Sequence, residues 1–324
     1  MARMKRRRKN RKYWGVILLL SLALAGTWLS RCRQVEADYP RDEDPKLKEV
    51  WSFGSGSVKV VRIPLEGVIM RPEGERLFSA RSDRVENVLL QIRAAERDPE
   101  VRAVILEVNS PGGGVTPSDE IYNELSRFRK SRPDRRVVVF IRDLGASGAY
   151  YAAMAGDCIL AEPTAVVGSI GVIMQSINIQ GLSEKIGITD VTIKSGANKD
   201  LLNPFQPVNA RQTALLQTLI DDLQARFSGL VADARNLDRA ASPDLFDGRI
   251  FSAPQALDRG LIDRIGYWED ALSVTADLLG TDALRVVRYE APKTFFESLM
   301  GAESPVILPQ LKLSSPQFLY LWKP

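Results

Sequence analysis

The 324-residue sequence contains no histidine, and this absence excludes several kinds of functional site. Without an imidazole, the chain cannot build a Ser-His-Asp triad, a Cys-His nucleophile pair or a histidine-ligated metal centre. Its two cysteines are too few for a structural zinc site built from thiolates. We therefore expect no bound metal, and a nucleophilic serine in this chain must take its base from a lysine or a carboxylate.

Acidic residues are missing from the first 33 positions, which hold ten of the 44 Lys and Arg residues. Removing these ten leaves 34 basic residues against 40 acidic ones, so the formal net charge of +4 is due to the N-terminal tail. The sequence contains no basic patch with interleaved aromatic residues. We therefore expect no nucleic-acid partner.

An apolar run follows the basic cluster and covers residues 13–30. Its length suits one bilayer crossing, which needs roughly 17–25 residues, and Trp14 and Trp28 lie where interfacial aromatic residues occur. We predict a basic cytoplasmic tail over residues 1–12 and a single-pass anchor in the inner or plasma membrane. The rest of the chain then lies on the periplasmic or extracellular side. Small residues near the end of the run leave a cleaved signal peptide as the alternative.

Beyond a polar linker at residues 31–57, apolar strands alternate with amphipathic helices. The predicted strands cover residues 58–65, 103–108, 137–141, 158–161 and 189–194, and the predicted helices cover residues 81–95, 118–130 and 208–235. This alternation predicts an α/β fold with a mainly parallel sheet and right-handed crossovers. We assign one domain to residues 58–285 and a C-terminal extension to residues 286–324. The apolar aromatic end of that extension suits packing on a neighbour, contact with the bilayer or closure of the domain, and we leave these alternatives open.

Ser147 lies between a predicted buried strand and a run of small, helix-forming residues. At such a junction, free backbone N–H groups and the positive end of the helix dipole meet the serine hydroxyl. The small neighbours Gly145, Ala146 and Gly148 let a ligand approach that hydroxyl. An ordinary helix N-cap is the alternative on these residues alone, so a nucleophilic role requires a base from elsewhere in the chain.

Three consecutive glycines, Gly112, Gly113 and Gly114, follow the strand at residues 103–108 and precede a helix. Glycine lets the backbone come close to a ligand and turn N–H groups toward it. A phosphate-binding loop is a poor fit, because the Walker lysine and the dinucleotide fingerprint are both missing. Together with Ser147, the run predicts an oxyanion hole, with a plain tight turn as the alternative.

Two lysines, Lys194 and Lys199, are candidates for the base, although a solvated surface position is the ordinary interpretation of each. Lys194 lies within a predicted strand, whereas Lys199 lies beyond a turn at Gly196, from which it can reach into a cleft. A lysine that acts as a base must be largely neutral, which requires desolvation or nearby positive charge. Ser169, on a second glycine-flanked turn, suits either a structural role or orientation of the amine.

Four motifs occur in an order and at a spacing that resemble the signal peptide peptidase A family of Ser–Lys proteases. They are Asn109–Gly114, Gly145–Tyr151, Gly168–Val172 and Lys194–Asp200. The segment Gly248–Asp263 is also similar to the part of that family that follows the site, and the resemblance covers residues 58–275. One such motif is weak evidence, but four in this order are specific.

This resemblance implies a Clp/crotonase-like fold and a set of residue roles. The implied roles are nucleophile for Ser147, general base for Lys199 rather than Lys194, orientation of the base for Ser169, and oxyanion donation for Gly113, Gly114 and Gly148. It also implies a homo-oligomeric ring, such as the octamers of the family's short form, in which neighbouring subunits supply the serine and the lysine.

The implied function is a membrane-anchored serine endopeptidase that needs no metal or cofactor. Its expected substrates are signal peptide remnants and other apolar peptides, which it cleaves through an acyl-enzyme. Three alternatives are kept: a crotonase-type acyl-CoA enzyme with the same fold, a non-catalytic membrane scaffold, and a related protease that acts on other membrane proteins.

Overall fold

The computed structural model describes residues 47–71, 83–290 and 318–322. The predicted tail and anchor, and most of the predicted linker, lie outside these residues. Among the residues that the structure describes, no helix is long and apolar enough to cross a membrane.

Strands and helices alternate along the described part of the chain. The strands are β1 (Lys48–Phe53), β2 (Val58–Glu66), β3 (Val101–Ser110), β4 (Gly112–Gly114), β5 (Arg136–Ala146), β6 (Cys158–Ala161), β7 (Val166–Gly168), β8 (Ile173–Met174), β9 (Ile250–Ser252), β10 (Arg264–Ile265), β11 (Leu284–Glu290) and β12 (Phe318–Leu321). The helices are α1 (Arg84–Arg97), α2 (Val115–Ser131), α3 (Gly148–Ala153), α4 (Gln180–Lys185), α5 (Ala210–Arg235), α6 (Ala253–Asp258) and α7 (Trp268–Leu279), with a 3₁₀ turn at Pro243–Phe246.

The larger of two sheets in the described residues has nine strands. Its main path runs β1-β11-β2-β3-β5-β6-β10, and β7 and β9 extend from β5. The pairs from β11 through β2, β3, β5 and β6 to β10 are all parallel, whereas β1 with β11 and β7 with β9 are antiparallel. The predicted α/β fold with a mainly parallel sheet is confirmed.

The central strand β3 is buried on both faces, because helices cover both sides of the sheet. Successive side chains of a strand point to opposite faces, so Val104 and Leu106 join one apolar core while Ala103 and Ile105 join the other. Helices α1 and α2 contribute to the first core, and α7 contributes to the second. This double burial explains why the strand reads as a continuous apolar run.

The predicted strand at residues 189–194 is wrong, because the structure has no strand there. The segment has the expected β-branched alternation, but Val191 is 82% exposed and Ile193 is 97% exposed. A strand needs a hydrogen-bonding partner, and no strand within the described residues lies beside this segment. The segment therefore has the residue pattern of a strand but forms none, because it pairs with no other strand in the described residues.

Pairing also differs from prediction at both ends of the domain. The predicted linker contains β1, an edge strand that pairs with β11. Strand β11 in turn continues through Glu290, past the boundary that we placed at residue 285. The C-terminal extension contributes β12, which lies between β4 and β8 in a second, three-stranded sheet. These pairings join segments that are far apart in sequence, which local patterns do not reveal.

Candidate active site

Ser147 connects the end of β5 to the start of α3 in an unusual backbone conformation. Its φ is 54° and its ψ is −117°, a region that residues with a side chain rarely adopt. Its N–H donates to the Gly168 carbonyl at 2.7 Å, and its carbonyl accepts from the Tyr151 N–H at 2.8 Å. Such strain persists only where the surroundings impose it, and it concentrates at functional sites.

The Ser147 hydroxyl makes no capping hydrogen bond to α3, although the residue occupies the N-cap position. An ordinary N-cap serine accepts from an N–H of the first helical turn. The residue is 1% exposed, so the hydroxyl has little contact with solvent in this structure. The ordinary capping interpretation is therefore not supported, and the hydroxyl is uncommitted among the described residues.

Ser169 leaves the sheet beside Ser147. Strands β5 and β7 are parallel and pair Ala146 with Gly168, so the serine that follows each strand starts at the same sheet edge. Ser169 also has a positive φ, 53°, and its N–H donates to the Arg249 carbonyl at 2.7 Å. Two buried serines in strained turns thus lie next to each other.

Gly112 and Gly148 let three backbone segments meet at one point. A methyl group on Gly112 would lie 2.2 Å from the Tyr320 carbonyl oxygen and 2.5 Å from the Gly148 nitrogen. A methyl group on Gly148 would lie 3.1 Å from both the Gly113 nitrogen and the Tyr320 carbonyl oxygen. The Gly113 and Gly148 nitrogens therefore lie close to each other and to the Tyr320 carbonyl oxygen.

Gly114 differs from Gly113, because its N–H is bonded to another segment of the chain and not to β12. It donates to the Ile69 carbonyl at 2.8 Å, and the Ile69 N–H donates to the Gly112 carbonyl at 2.9 Å. These two bonds hold β4 against the chain at Ile69. Of the predicted oxyanion donors, Gly113 and Gly148 are placed together at the carbonyl, while Gly114 is engaged elsewhere.

The structure of one chain brings neither candidate lysine to Ser147. The Lys194 ammonium pairs with Asp200, with Nζ at 2.7 and 2.8 Å from the two carboxylate oxygens. Lys199 is exposed, and its side chain makes no hydrogen bond or ion pair within the described residues. The serines and the glycine amides are thus assembled within one chain, whereas the base is not.

An aromatic pocket that we did not predict lies next to these residues. The side chain of Tyr320, on β12, is fully buried and stacks on Tyr151 with ring centroids 5.2 Å apart and an interplanar angle of 21°. The Phe227 ring packs on Tyr320 at 4.7 Å, and the Tyr320 hydroxyl donates to the Leu223 carbonyl at 3.0 Å. The aromatic C-terminus was the sequence signal for this pocket, but its location depends on long-range pairing.

The two tyrosines of this pocket, Tyr151 and Tyr320, have raised pKa values. Burial raises the pKa of the Tyr151 phenol, as does its hydrogen bond to Asp119 at 2.5 Å, while Arg226 opposes the shift. Burial also raises the pKa of Tyr320 to about 12. Both phenols therefore stay neutral donors over the whole physiological range.

Comparison with known proteins identifies the family. The model of peptidase family S49 matches residues 129–282. A provisionally named signal peptide peptidase SppA from Enterococcus faecium is 38% identical over 252 residues, which are 78% of this chain and 72% of that protein. This chain belongs to peptidase family S49.

Two more distant relatives of this S49 peptidase are also named as proteases. A provisionally named protease from Synechocystis is 35% identical over 258 residues, 79% of this chain and 88% of that protein. The chloroplastic serine protease SPPA of Arabidopsis thaliana is 27% identical over 264 residues, 79% of this chain and 39% of that protein. The predicted relationship to the signal peptide peptidase A family is confirmed.

The site of this S49 serine peptidase has two of the three parts that acyl transfer needs. A buried hydroxyl is a candidate nucleophile, and two neighbouring backbone N–H groups are candidate donors to a developing oxyanion. Within the described ranges, no group of three or more Cys, Asp or Glu side chains is arranged to hold a metal ion. The part that a single chain does not bring to the serine is the base.

Proposed function

We propose that this S49 peptidase is a signal peptide peptidase in which Ser147 is the nucleophile and Lys199 is the general base. The observation that carries the proposal is the buried, uncommitted hydroxyl of Ser147, which is followed by Gly148, whose amide lies close to that of Gly113. A strained turn that presents a hydroxyl to N–H donors suits attack on a peptide carbonyl. Its family membership supports the same chemistry.

In this mechanism, the Lys199 amine accepts the proton of Ser147 as Oγ adds to the scissile carbonyl carbon. The Gly113 and Gly148 N–H groups stabilise the oxyanion, and one such donor typically contributes about 10²–10³-fold to kcat. The amine of the leaving fragment takes the proton back from Lys199. Water activated by the same amine then hydrolyses the acyl-enzyme, and Ser169 orients the lysine.

Lys199 suits the base better than Lys194 for a structural reason. Lys194 is engaged with the Asp200 carboxylate at 2.7 Å, and removing it from that pair would leave a partly buried carboxylate without its cation. Lys199 carries no such contact within the described residues, so it can move into a site without breaking one.

We further propose that a second copy of the chain supplies Lys199 to Ser147. Ser147 is 1% exposed whereas Lys199 lies on the surface, and no contact joins them in the described chain. The residues around Lys199 expose an unusual set of large apolar side chains. They are Ile177, Leu182, Ile186, Ile188, Val191, Ile193, Val208, Leu215 and Leu219.

Exposed apolar side chains are thus concentrated in one part of the sequence, and concentrations of exposed apolar side chains are typical of interaction sites. The unpaired segment at residues 189–194 has β-branched alternation and no partner strand in the described chain. A homo-oligomeric ring, such as an octamer, would cover these side chains and complete each site with a lysine from a neighbour.

The proposed setting is the inner or plasma membrane. Residues 13–30 would form the single anchor, with residues 1–12 in the cytoplasm and the Clp/crotonase-like domain on the periplasmic or extracellular side. Signal peptides left in the membrane by preprotein processing, and other apolar peptides, would be the substrates. The name of the relative from Enterococcus faecium supports this substrate class.

The test is cleavage of a synthetic signal peptide by the detergent-solubilised full chain. Ser147→Ala and Lys199→Ala should both lose activity, while the matched variant Lys194→Ala should retain it. Normal cleavage by Lys199→Ala would overturn the assignment of the base. A folded wild type that neither cleaves peptides nor reacts with a serine probe would favour a non-catalytic scaffold.

A further inference from the structure

The turn that carries Ser169 is held mainly by backbone hydrogen bonds. The Gly168 carbonyl accepts from the Ser147 N–H at 2.7 Å, and the Ser169 N–H donates to the Arg249 carbonyl at 2.7 Å. Ser169 is 7% exposed, and its hydroxyl makes no hydrogen bond within the described residues. The position of that hydroxyl therefore depends on the backbone of the turn, which is strained at a φ of 53°.

One side chain on helix α5 also supports this turn. Gln224 Nε2 donates to the Ile170 carbonyl at 3.3 Å and to the Phe246 carbonyl at 2.8 Å. Ile170 directly follows Ser169 and is fully buried. In the part of the chain that the structure describes, no other side chain forms a hydrogen bond to residues 168–171. The amide of Gln224 is therefore the one side-chain support of the turn that a substitution can remove.

The same amide contacts the segment that packs against the turn. Phe246 ends the 3₁₀ turn, and Arg249, whose carbonyl accepts from the Ser169 N–H, follows three residues later. A methyl group on Gly171 would lie 3.2 Å from the Gly248 Cα, so the two segments are in direct contact there. The amide thus bridges the two backbone segments that meet beside Ser169.

The amide contributes its donors rather than its acceptor. Because both neighbours are carbonyls, only the NH₂ end of the side chain can bond to them. Gln224 Oε1 is buried and has no hydrogen-bond partner among the described residues, which is unfavourable for a polar atom. An apolar side chain of the same length would avoid that cost, so the two donated bonds are the contribution that glutamine makes here.

We propose that Gln224 is a positioning residue of the catalytic site, whose amide fixes the Ser169 turn so that the Ser169 hydroxyl meets the amine of Lys199. The proposal rests on the proposed peptidase function for the role of Ser169. It adds a residue on α5 that acts on the reaction through the turn alone.

The first experiment measures kcat and KM of the full chain in detergent with a synthetic signal peptide. Gln224→Met keeps the length of the side chain and removes both donors. A catalytic group that is misplaced by about 1 Å can cost roughly 10²-fold, so we expect kcat to fall by about 10- to 100-fold. KM should stay within about 2-fold of wild type, because the orientation of a base acts on the chemical step.

Two further variants separate loss of the donors from other effects. Gln224→Glu keeps the shape of the side chain and cannot donate when ionised, so it should lower kcat at least as much as Gln224→Met. Gln217→Met is the matched control, because Gln217 is exposed on the same helix and bonds to Asp221 at 2.7 Å. It should behave like wild type. Full activity in Gln224→Met, or a loss confined to Gln224→Glu, would overturn the proposal.

The second experiment is a double-mutant cycle with Ser169→Ala. If Gln224 acts through Ser169, removing the hydroxyl already removes what the amide positions. The double variant should then be within about 2-fold of Ser169→Ala alone. Two effects that multiply would show a general structural role and overturn the proposal, and so would full activity in Ser169→Ala beside a loss in Gln224→Met. Each of these results would leave the peptidase function standing.

The third experiment needs no catalysis. Hydrogen exchange followed by mass spectrometry should show residues 168–171 exchanging at least about 5-fold faster in Gln224→Met than in wild type or Gln217→Met, with strand β3 unchanged. That result in a protein whose wild type cleaves nothing would support the contact with the turn while the peptidase function fails. Unchanged exchange at the turn, or faster exchange in β3 as well, would overturn the positioning role.

Discussion

The backbone N–H of Ser147 donates to the carbonyl of Gly168 at 2.7 Å, and this bond joins the two strained turns of the site. The next residue after Gly168 is Ser169, whose φ of 53° nearly equals the 54° of Ser147. Each turn therefore supports the backbone conformation of the other. This coupling gives a physical reason for placing the two serines in one catalytic unit.

Gly148→Ala should lower peptide cleavage strongly while leaving the fold intact. The added methyl group would lie 3.1 Å from the Gly113 nitrogen and from the Tyr320 carbonyl oxygen, and 2.3 Å from the Ser118 hydroxyl, which would have to leave its hydrogen bond to the Gly114 carbonyl. We expect kcat to fall by about 10²–10³-fold, as for loss of one oxyanion donor. Steady-state kinetics with a peptide substrate measure the effect.

Gly229→Ala is the matched control, because a methyl group there meets no atom within 4 Å and the residue lies within helix α5. Its activity should equal that of wild type, and its free energy of unfolding should rise by about 0.5–1 kcal/mol. Full activity in Gly148→Ala would contradict the assignment of Gly148 as an oxyanion donor.

The buried Lys59 pairs with the partly exposed Asp98 and the exposed Glu49, and the contribution of this charge cluster to stability depends on pH. Lys59 bonds to Asp98 at 2.7 Å and to Glu49, and its side chain is 5% exposed. Burial alone would raise the pKa of Asp98, but the hydrogen bond and charge of Lys59, together with hydrogen bonds from the Glu100 N–H and the Tyr289 hydroxyl, outweigh it and hold that pKa below 3.8. Hydrogen bonds to the two carboxylates likewise hold the pKa of Lys59 above 10.5, against the effect of burial.

A carboxyl group with a lowered pKa stabilises the fold above its ordinary pKa, and that contribution is lost as the pH falls through the folded-state value. We expect Asp98→Asn to lower the free energy of unfolding by about 1–3 kcal/mol at neutral pH. The deficit should shrink as the pH falls below 3.8, where wild type loses the same contribution. Urea unfolding at a series of pH values measures it, and a deficit that stays constant to the lowest pH would contradict the assignment.

Ile193→Asp should weaken self-association, because the side chain is 97% exposed in one chain and lies in the surface proposed to meet a second copy. Placing a carboxylate there would put an unpaired charge in an apolar interface. The apolar variant Ile193→Val should assemble like wild type. Analytical ultracentrifugation measures the change. If Ile193→Asp assembles like wild type, the interface does not include Ile193.

Mixing two inactive variants tests whether neighbouring subunits share the site. A ring with randomly mixed Ser147→Ala and Lys199→Ala subunits should recover roughly a quarter of wild-type activity, because that fraction of interfaces joins an intact serine to an intact lysine. The mixture must be co-folded or exchanged before assay. If each chain supplies both groups to its own site, the mixture stays inactive.

Much of the fold was predictable because local patterns carry it. The helix predicted at residues 208–235 is α5, Ala210–Arg235, and the strand predicted at residues 158–161 is β6. The segment at residues 189–194 shows the limit, since it has the alternating pattern of a strand but pairs with no strand in the described part of the chain. The pairing of β1 with β11 and of β12 with β4 was beyond local reasoning, because it joins segments far apart in sequence.

The sequence also predicted part of the candidate site. Motif order pointed to the turns at Ser147 and Ser169, and the structure places these serines side by side. The roles of Gly113 and Gly114 could not be separated from sequence, since the difference arises from the hydrogen bond between Gly114 and Ile69. The pocket around Tyr320 was missed because two distant segments form it.

The central claim is that Lys199 activates Ser147, and covalent labelling by a serine-reactive phosphonate tests it most directly. Mass spectrometry of the labelled full chain should place the phosphonate on Ser147, with no labelling of Ser147→Ala. Labelling should be at least about 100-fold slower in Lys199→Ala and unchanged in Lys194→Ala, in line with the 10²–10⁴-fold effect of a positioned base. Labelling on another residue, or at an equal rate in wild type and Lys199→Ala, would contradict the account.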